Sequence, residues 1–276
     1  MQAARALTLS VALVAMTLPC IVIQCLLSAL RLPAARSFPM RYHRAFLRIM
    51  GVRVHCRGNL DTSGPLLLVA NHSSWLDIPV ISSRTPLTFV AKKEVESWPI
   101  FGLFARLQRS IFVDRTRRRG AHQAHGELAR RLSGGEAVVL FAEGTSSDGN
   151  RILPFKSALV GAALQAMREN SLETVRVCPL AVTYTHVHGL PIGRVLRTRY
   201  AWYGDMELMP HMWDVLRHGP VDVTVSVGPV QNLSRFADRK ELSRALECEV
   251  RSMFIAELRG GANETAGGTA YPLPGA

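Results

Sequence analysis

The amino-acid sequence predicts an α/β fold, in which a mostly parallel or mixed central sheet is flanked by helices and preceded by a hydrophobic N-terminal segment. Seven short apolar runs have the length and β-branched content of buried strands, and helix-like segments separate several of them. Strands interleaved with helices are typical of α/β domains. The 276 residues suffice for one such domain behind an anchor. We therefore expect an anchor over residues 1–50, one domain over residues 51–259 and a tail over residues 260–276.

The N-terminal segment, residues 6–30, contains no charged side chain and is long enough to cross a hydrocarbon layer about 30 Å thick. Arginines follow it, which by the positive-inside rule predicts insertion in the cell inner membrane with the domain facing the cytoplasm. Pro19 predicts a kink or a break, so a pair of helices half-embedded in one leaflet is the alternative. A cleaved signal peptide is a second alternative because small residues lie at 33–35, but the length and the basic flank favour an anchor.

The remaining elements follow in order along the chain. The strand candidates are apolar runs, namely residues 52–57, 66–69, 88–91, 110–113, 137–141, 175–183 and 221–227. The helix candidates are residues 121–132, 157–169 and 240–258. From Gly260 onward the chain is rich in glycine, alanine and proline, which predicts a disordered tail. In an open α/β sheet the active groups gather in loops at the carboxyl ends of strands, so the loops after residues 70, 113 and 141 are the candidate site.

Charge and cysteine content narrow the class of partner. A net charge of +12 predicts an anionic partner, such as acidic lipid headgroups, an acidic carrier protein or nucleic acid. We expect no nucleic acid, because the few aromatic residues are not interleaved with the basic runs. Neither a Walker-type loop nor a Gly-x-Gly-x-x-Gly loop is present, so we expect no nucleotide cofactor. The five cysteines are scattered without a Cys-x-x-Cys pair, which predicts free thiols in a reducing compartment and no metal site.

The first loop that carries chemistry is Asn-His-Ser-Ser-Trp-Leu-Asp at residues 71–77, directly after a strand candidate. His72 suits a general base, because an imidazole titrates at about pH 6.5. Asp77 can hold the other ring nitrogen and stabilise the imidazolium that forms. Such a pair can remove a proton from an attacking hydroxyl without a nucleophilic serine. For the isolated motif, a loop histidine bonded to backbone is the alternative interpretation.

Three further blocks follow strand candidates, at residues 112–115, 141–149 and 177–182. Singly, each has a structural interpretation, with Arg115 as a surface cation, Glu143 as a helix-cap partner and Pro179 as a strand-edge residue. Together, in this order and at these spacings, the four blocks resemble the glycerolipid acyltransferase family, which is best known for 1-acyl-sn-glycerol-3-phosphate acyltransferases. The resemblance covers most of residues 50–230.

The resemblance implies roles for individual residues. His72 is expected to be the general base and Asp77 its orienting carboxylate. The Glu-Gly-Thr block is expected to bind the acceptor and shape the cleft, an arginine to contact the acceptor's polar head, and a proline to serve the acyl donor. The residues with these implied binding roles are Arg115, Glu143, Gly144, Thr145 and Pro179. The family requires no metal or other cofactor for catalysis, and its implied partners are a membrane, a lysolipid acceptor and an acyl donor, either acyl carrier protein or acyl-coenzyme A.

One departure from the family pattern concerns the acceptor. Members that form phosphatidate usually have an arginine directly after Glu-Gly-Thr, which suits a phosphate monoester. This chain has Ser146 there, in a version that resembles the branch containing bacterial lyso-ornithine lipid O-acyltransferases. Arg151 and Lys156 lie just downstream and can compensate, so we include Lys156 among the substrate-binding candidates. Lyso-ornithine lipid and lysophosphatidate therefore both remain open as acceptors.

Two other segments keep two interpretations each. The basic run at residues 115–119 is either a solvated helix start or a docking site for an acidic carrier protein or anionic lipid. The Met206, Met209 and Met212 side chains, with Trp213, belong either to the core or to an acyl pocket, and the core is the more usual outcome.

Two other functions compete with acyl transfer. A thioesterase or lipid hydrolase would need a Gly-x-Ser-x-Gly nucleophile elbow, which the sequence lacks. A non-enzymatic basic membrane-binding protein would explain the charge but not four ordered blocks. The sequence therefore favours a membrane-bound O-acyltransferase that transfers a fatty acyl group to the free hydroxyl of a lysolipid.

Overall fold

The computed structural model describes residues 2–114, 118–169, 175–231 and 236–260. Its strands are β1 (Val52–Arg57), β2 (Leu66–Ala70), β3 (Thr88–Lys92), β4 (Ile111–Val113), β5 (Ala137–Phe141), β6 (Arg176–Val187), β7 (Leu190–Pro191) and β8 (Val221–Val227). Its helices are α1 (Gln2–Ala29), α2 (Ala34–Met50), α3 (Asp77–Ser82), α4 (Phe101–Leu107), α5 (Arg118–Ser133), α6 (Ser157–Glu169), α7 (Arg194–Tyr200), α8 (Leu208–His218) and α9 (Arg239–Leu258). A 3₁₀ turn covers Lys93–Ser97.

The strands form one mixed sheet in the order β1-β8-β6-β2-β5-β3-β4, with β7 paired to β6. The five strands from β6 to β4 are mutually parallel, whereas β8 pairs antiparallel with β6 and carries β1 parallel to itself. Ala70 at the end of β2 lies opposite Phe141 of β5 and Leu180 of β6. The loops that follow β2 and β5 therefore leave the sheet side by side, where the α/β rule predicts the site.

Helices cover both faces of the sheet. Alternate residues of β2 point to opposite faces, so Leu66, Leu68 and Ala70 join one hydrophobic cluster while Leu67 and Val69 join the other. The first cluster contains side chains of α1, α2, α3 and α8, and the second contains those of α5, α6 and α9. The predicted α/β fold with a mixed sheet is therefore confirmed.

The apolar helix α1 lies along the domain. Near its start, the Arg5 guanidinium donates to the carbonyl oxygens of Leu216 in α8 and Met50 in α2. Near its end, Gln24 donates to the carbonyl oxygen of Leu107 in α4 at 2.9 Å. The opposite face leaves a stripe of large apolar side chains exposed, namely Leu7, Val11, Val14, Leu18, Val22, Leu26 and Leu30. In the described part of the chain, α1 is the one helix long and apolar enough to cross a membrane, judged by length and composition.

The element predictions hold best for the strands. Each of the seven strand candidates and three helix candidates corresponds to an observed element, with ends that differ by a few residues. Of the kink or break predicted at Pro19, the break is wrong, because α1 continues through this residue and the chain turns only at residues 30–33. The core interpretation of the methionines is also wrong for Met206 and Met209, which are exposed together with Trp213. Of the tail predicted over residues 260–276, residues 261–276 lie outside the described residues, and so do residues 115–117 of the basic run at 115–119.

Candidate active site

The loop after β2 is fixed to the neighbouring strand by Asn71. Its side-chain amide donates to the Val182 carbonyl oxygen at 3.0 Å, and its side-chain oxygen accepts from the Val182 backbone N–H at 2.8 Å. Asn71 is buried, so these two bonds continue the β2–β6 pairing where the backbone ladder stops. The next residue, His72, is therefore held at the carboxyl edge of the sheet.

His72 and Asp77 form a hydrogen-bonded pair. The His72 Nδ1 atom lies 2.9 Å from Asp77 Oδ2, and the histidine side chain is 18% exposed while the aspartate is fully buried. Donation from Nδ1 to the carboxylate leaves Nε2 as the nitrogen with a free lone pair. His72 Nε2 makes no hydrogen bond to the described part of the chain, so this atom is available to a substrate hydroxyl.

The Asp77 carboxylate is held by three further donors. Oδ2 also accepts the backbone N–H groups of Ser73 at 2.7 Å and Ser74 at 2.9 Å. Oδ1 accepts the Tyr184 hydroxyl at 2.9 Å. Burial and the neighbouring Asp77 charge raise the pKa of Tyr184 well above its ordinary value, so this hydroxyl keeps its proton and donates. Four donors around one buried carboxylate fix the orientation of the imidazole.

The ring of His72 is also held by stacking. Its centroid lies 4.0 Å from that of Phe141 with 18° between the planes, and Phe141 in turn stacks on Phe89 at 5.9 Å. Because Phe141 is the last residue of β5, the sheet itself sets the plane of the imidazole. The ring can therefore accept a proton without reorienting.

Glu143 ties the two loops together through backbone groups. Oε1 accepts the His72 N–H at 3.0 Å and Oε2 accepts the Leu153 N–H at 3.1 Å. Burial, with a smaller contribution from the Asp77 charge, raises the pKa of Glu143 to about 8. The Ser147 N–H adds a bond of 2.9 Å to the His72 carbonyl oxygen. Glu143 therefore holds the loop that carries His72. Because its pKa is raised, Glu143 is protonated at pH 7 and places no second negative charge beside Asp77.

The other site residues predicted from the sequence differ in their positions and in their exposure to solvent. Gly144 turns the chain directly after Glu143 with φ +72°, a conformation that favours glycine. The Thr145 and Lys156 side chains are exposed. Pro179 is buried in β6 opposite Val69, inside the sheet rather than in the loop of the base. Arg115 lies outside the described residues.

Several contacts at the site were not predicted from the sequence. The Trp75 indole donates to His211 Nδ1 at 3.0 Å, and burial lowers the pKa of His211, which suits a neutral acceptor. The backbone N–H of Trp202 donates to the Ser73 carbonyl oxygen at 2.7 Å. Tyr184 left one sequence signal, a tyrosine in an apolar strand. A tyrosine hydroxyl that is buried in this way needs a hydrogen-bond partner. Contacts made by residues so distant in sequence leave no local pattern.

The described residues contain no group of three or more His, Cys, Asp or Glu side chains that could hold a metal ion. Within the same residues, no serine hydroxyl or cysteine thiol is hydrogen-bonded to the His72 ring. The arrangement is therefore suited to removing a proton from a bound hydroxyl, and it lacks the nucleophile and base contact typical of serine hydrolases.

Comparison with known proteins agrees with this chemistry. An acyltransferase family model matches residues 51–183. The lyso-ornithine lipid O-acyltransferase of Brucella abortus (strain 2308) is 47% identical over 249 residues, which cover 90% of this chain and 93% of that protein. The protein of the same name from Rhizobium meliloti (strain 1021) is 45% identical over 260 residues, covering 94% and 89% respectively.

Among solved structures, the 1-acyl-sn-glycerophosphate acyltransferase from Thermotoga maritima superposes with a TM-score of 0.65 at 22% identity, covering 96% of this chain and 100% of that one. At this identity the match supports the fold, including an N-terminal segment before the sheet. The resemblance inferred from the four blocks is thereby confirmed. The chain belongs to the acyltransferase family that includes the lyso-ornithine lipid O-acyltransferases.

Proposed function

We propose that this protein is a membrane-bound enzyme that transfers a fatty acyl group from a thioester to the free hydroxyl of a lysolipid. The observation that carries the proposal is the His72–Asp77 pair, whose Nδ1–Oδ2 distance is 2.9 Å. The buried aspartate orients the ring, and the histidine side chain is 18% exposed, so the remaining nitrogen can meet a substrate. A base that is already oriented suits direct transfer from donor to acceptor, without an acyl-enzyme intermediate.

The proposed reaction is a single exchange of bonds at the thioester carbonyl. Nε2 of His72 accepts the proton of the lysolipid hydroxyl as its oxygen attacks the carbonyl carbon. The carbon–oxygen ester bond forms, the carbon–sulfur bond breaks, and the carrier leaves as a thiol after the imidazolium returns the proton to sulfur. Asp77 stabilises the imidazolium between these two proton transfers.

We propose lyso-ornithine lipid as the preferred acceptor. Two relatives that carry this acceptor in their names match nearly the whole chain at 47% and 45% identity. Ser146 occupies the position where an arginine would suit a phosphate monoester, and a zwitterionic headgroup needs less fixed positive charge there. The substrate-binding roles of Arg115, Glu143, Gly144, Thr145, Lys156 and Pro179 remain part of this proposal.

We further propose that α1 lies half-embedded in one leaflet. Arg5 and Gln24 both bond to the domain, and the 19 residue steps from one to the other extend about 28 Å along its surface at 1.5 Å per step. A helix that crossed the bilayer from a domain on one side would contact that domain at one end only. The exposed apolar stripe then faces lipid, and the arginines of α2 favour the cytoplasmic face of the inner membrane.

A competition assay tests the proposed function. The full-length protein in detergent micelles receives labelled acyl carrier protein or labelled acyl-coenzyme A, with equal amounts of lyso-ornithine lipid and lysophosphatidate. We expect acylated ornithine lipid as the main product, and the comparison of the two donors identifies the carrier. Ser146→Arg should move the product ratio toward phosphatidate, whereas the uncharged control Ser146→Gln should not.

Two results would count against the proposal. Preferential acylation of lysophosphatidate by the unmodified protein would mean that another cation binds the phosphate and that lyso-ornithine lipid is not the preferred acceptor. Release of free fatty acid in place of acylated lipid would assign the site to a thioesterase or lipid hydrolase.

A further inference from the structure

The exposed apolar residues of α8 form a surface that the acyl-transfer reaction does not explain. Met209 is 60% exposed and Trp213 is 40% exposed, and Met206 just before the helix is 40% exposed. Met209, Trp213 and Leu216 recur at i, i+4 and i+7, which places them on one face of the helix. We call the exposed part, Met206, Met209 and Trp213, the α8 apolar face.

The helix that carries the α8 apolar face packs against α1. Leu216, at the C-terminal end of the same helical face, is buried where α1 packs against α8, and Arg5 of α1 donates to its carbonyl oxygen. The large exposed apolar residues of α1 that are nearest to Arg5 in sequence are Leu7 and Val11. Side chains of both helices also belong to the same hydrophobic cluster, on one face of the sheet. The α8 apolar face is therefore carried by a helix that lies next to the apolar helix α1, on the same face of the sheet.

We propose that the α8 apolar face is a second membrane contact, which inserts into the same leaflet as the stripe of α1. A bilayer suits this surface better than a protein partner, because the helix that carries it packs against the proposed anchor helix on the same face of the sheet. Tryptophan and methionine also suit the boundary between headgroups and acyl chains, where an indole can bury its ring and keep its N–H near water. This inference rests on the proposed membrane association of α1 and not on the acyl transfer.

The consequence for function lies in the connection of α8 to the catalytic loop. His211, two residues from both Met209 and Trp213 and therefore on the buried side of α8, accepts the hydrogen bond of the Trp75 indole at 3.0 Å. Trp202, shortly before α8, bonds to the Ser73 backbone between the two residues of the catalytic pair. Contact of the α8 apolar face with the leaflet therefore fixes the catalytic loop at the membrane surface, where a lysolipid can present its hydroxyl while its chain stays in the bilayer.

Fluorescent probes on single cysteines test this contact. The probe is attached to full-length protein at Met209→Cys, at native Cys25 on the exposed side of α1, or at native Cys248 on the exposed side of α9, with the other reactive cysteines changed to serine. The protein is reconstituted with vesicles of zwitterionic and anionic phospholipid. Quenching by brominated acyl chains is compared with quenching by aqueous iodide. We expect the probes at 209 and 25 to be quenched by lipid, and the probe at 248 by iodide.

The three probes separate the possible failures. If position 25 is quenched by lipid while position 209 is quenched by iodide, the α8 contact is refuted and the anchoring of α1 stands. If both are quenched by iodide, the membrane association of α1 is refuted as well, and neither result depends on enzymatic activity.

A functional measurement complements the probes. The double variant Met209→Ser/Trp213→Ser should lose about tenfold or more in rate on lysolipid embedded in vesicles, a factor that one large apolar side chain can contribute on leaving water. Its rate on a short-chain lysolipid below the micelle concentration should be unchanged. Equal losses on both substrates would mean that the α8 residues act on the active site and not on membrane contact.

Discussion

The charge of Asp77 is the feature of the site that can be removed with least change in shape. In Asp77→Asn, the amide oxygen can occupy the Oδ2 position, where it still accepts from His72, Ser73 and Ser74. The amide nitrogen then lies at the Oδ1 position, 2.9 Å from the Tyr184 hydroxyl, and donates to it. Every polar partner keeps a hydrogen bond, so we expect the fold to persist while the negative charge is lost.

The size of the expected effect follows from the electrostatics of the pair. Two unit charges about 4 Å apart at an effective dielectric constant of about 20 attract each other by about 4 kcal/mol. That attraction exists only while His72 is an imidazolium, so its loss raises the barrier and leaves the resting enzyme nearly unchanged. A barrier higher by about 4 kcal/mol corresponds to a rate about 1,000-fold lower.

The assay is the initial rate of acyl transfer at saturating donor and acceptor, with the unfolding midpoint measured on the same preparation. Asp61→Asn is the matched control, because Asp61 lies at the surface between β1 and β2 and pairs with Arg176. A folded Asp77→Asn protein with a rate within tenfold of the unmodified enzyme would refute the role assigned to the charge.

Two further perturbations concern stability. Because the pKa of Glu143 is raised to about 8 in the folded protein, the folded chain keeps a proton that the unfolded chain loses above its ordinary value near 4.3. The free energy of unfolding should therefore fall as the pH rises between those two values, by up to about 1.4 kcal/mol per pH unit. In melting experiments at pH 5 to 8, Glu143→Gln should remove this pH dependence. The same pH dependence in the variant and the unmodified protein would contradict this. Tyr184→Phe removes the donor to Asp77 Oδ1 and should lower the free energy of unfolding by about 1.5–3 kcal/mol, with a smaller loss of rate than Asp77→Asn. An unchanged denaturation midpoint in Tyr184→Phe would argue against that bond.

The sequence predicts the parts of the molecule that depend on local signals. A short apolar run that contains β-branched residues and is bounded by turn residues, such as residues 137–141, is typical of a buried strand. His72 and Asp77 could be paired because one loop contains both, directly after a strand. The fixed direction of parallel strands then predicts that the blocks after β2 and β5 meet at one edge.

The parts that the sequence did not predict depend on contacts between distant segments. The Tyr184–Asp77 bond joins residues 107 positions apart, and its geometry is set by the register of β6 against β2. The same applies to the Trp75–His211 bond, which joins residues 136 positions apart. The exposure of Trp213 was also missed, because a helix face that contacts lipid has the same apolar pattern as one that contacts a core.

Glu143 illustrates how a family role and a structural role combine. The resemblance implies that it binds the acceptor and shapes the cleft, and this role remains a prediction. Both of its carboxylate oxygens are engaged by the backbone of His72 and Leu153. Its contribution to acceptor binding is therefore expected to be indirect, through the position of the loop that carries His72.

The direct role of His72 is the central claim, and one measurement tests it most directly. Acyl transfer from labelled acyl thioester to lyso-ornithine lipid is followed with purified, membrane-reconstituted His72→Ala protein whose unfolding midpoint matches that of the unmodified enzyme. We predict no acylated product above the uncatalysed background, because the proposed mechanism gives the proton of the acceptor hydroxyl to His72 alone. Substantial transfer by the folded His72→Ala protein would contradict the mechanism and would require a different proton acceptor.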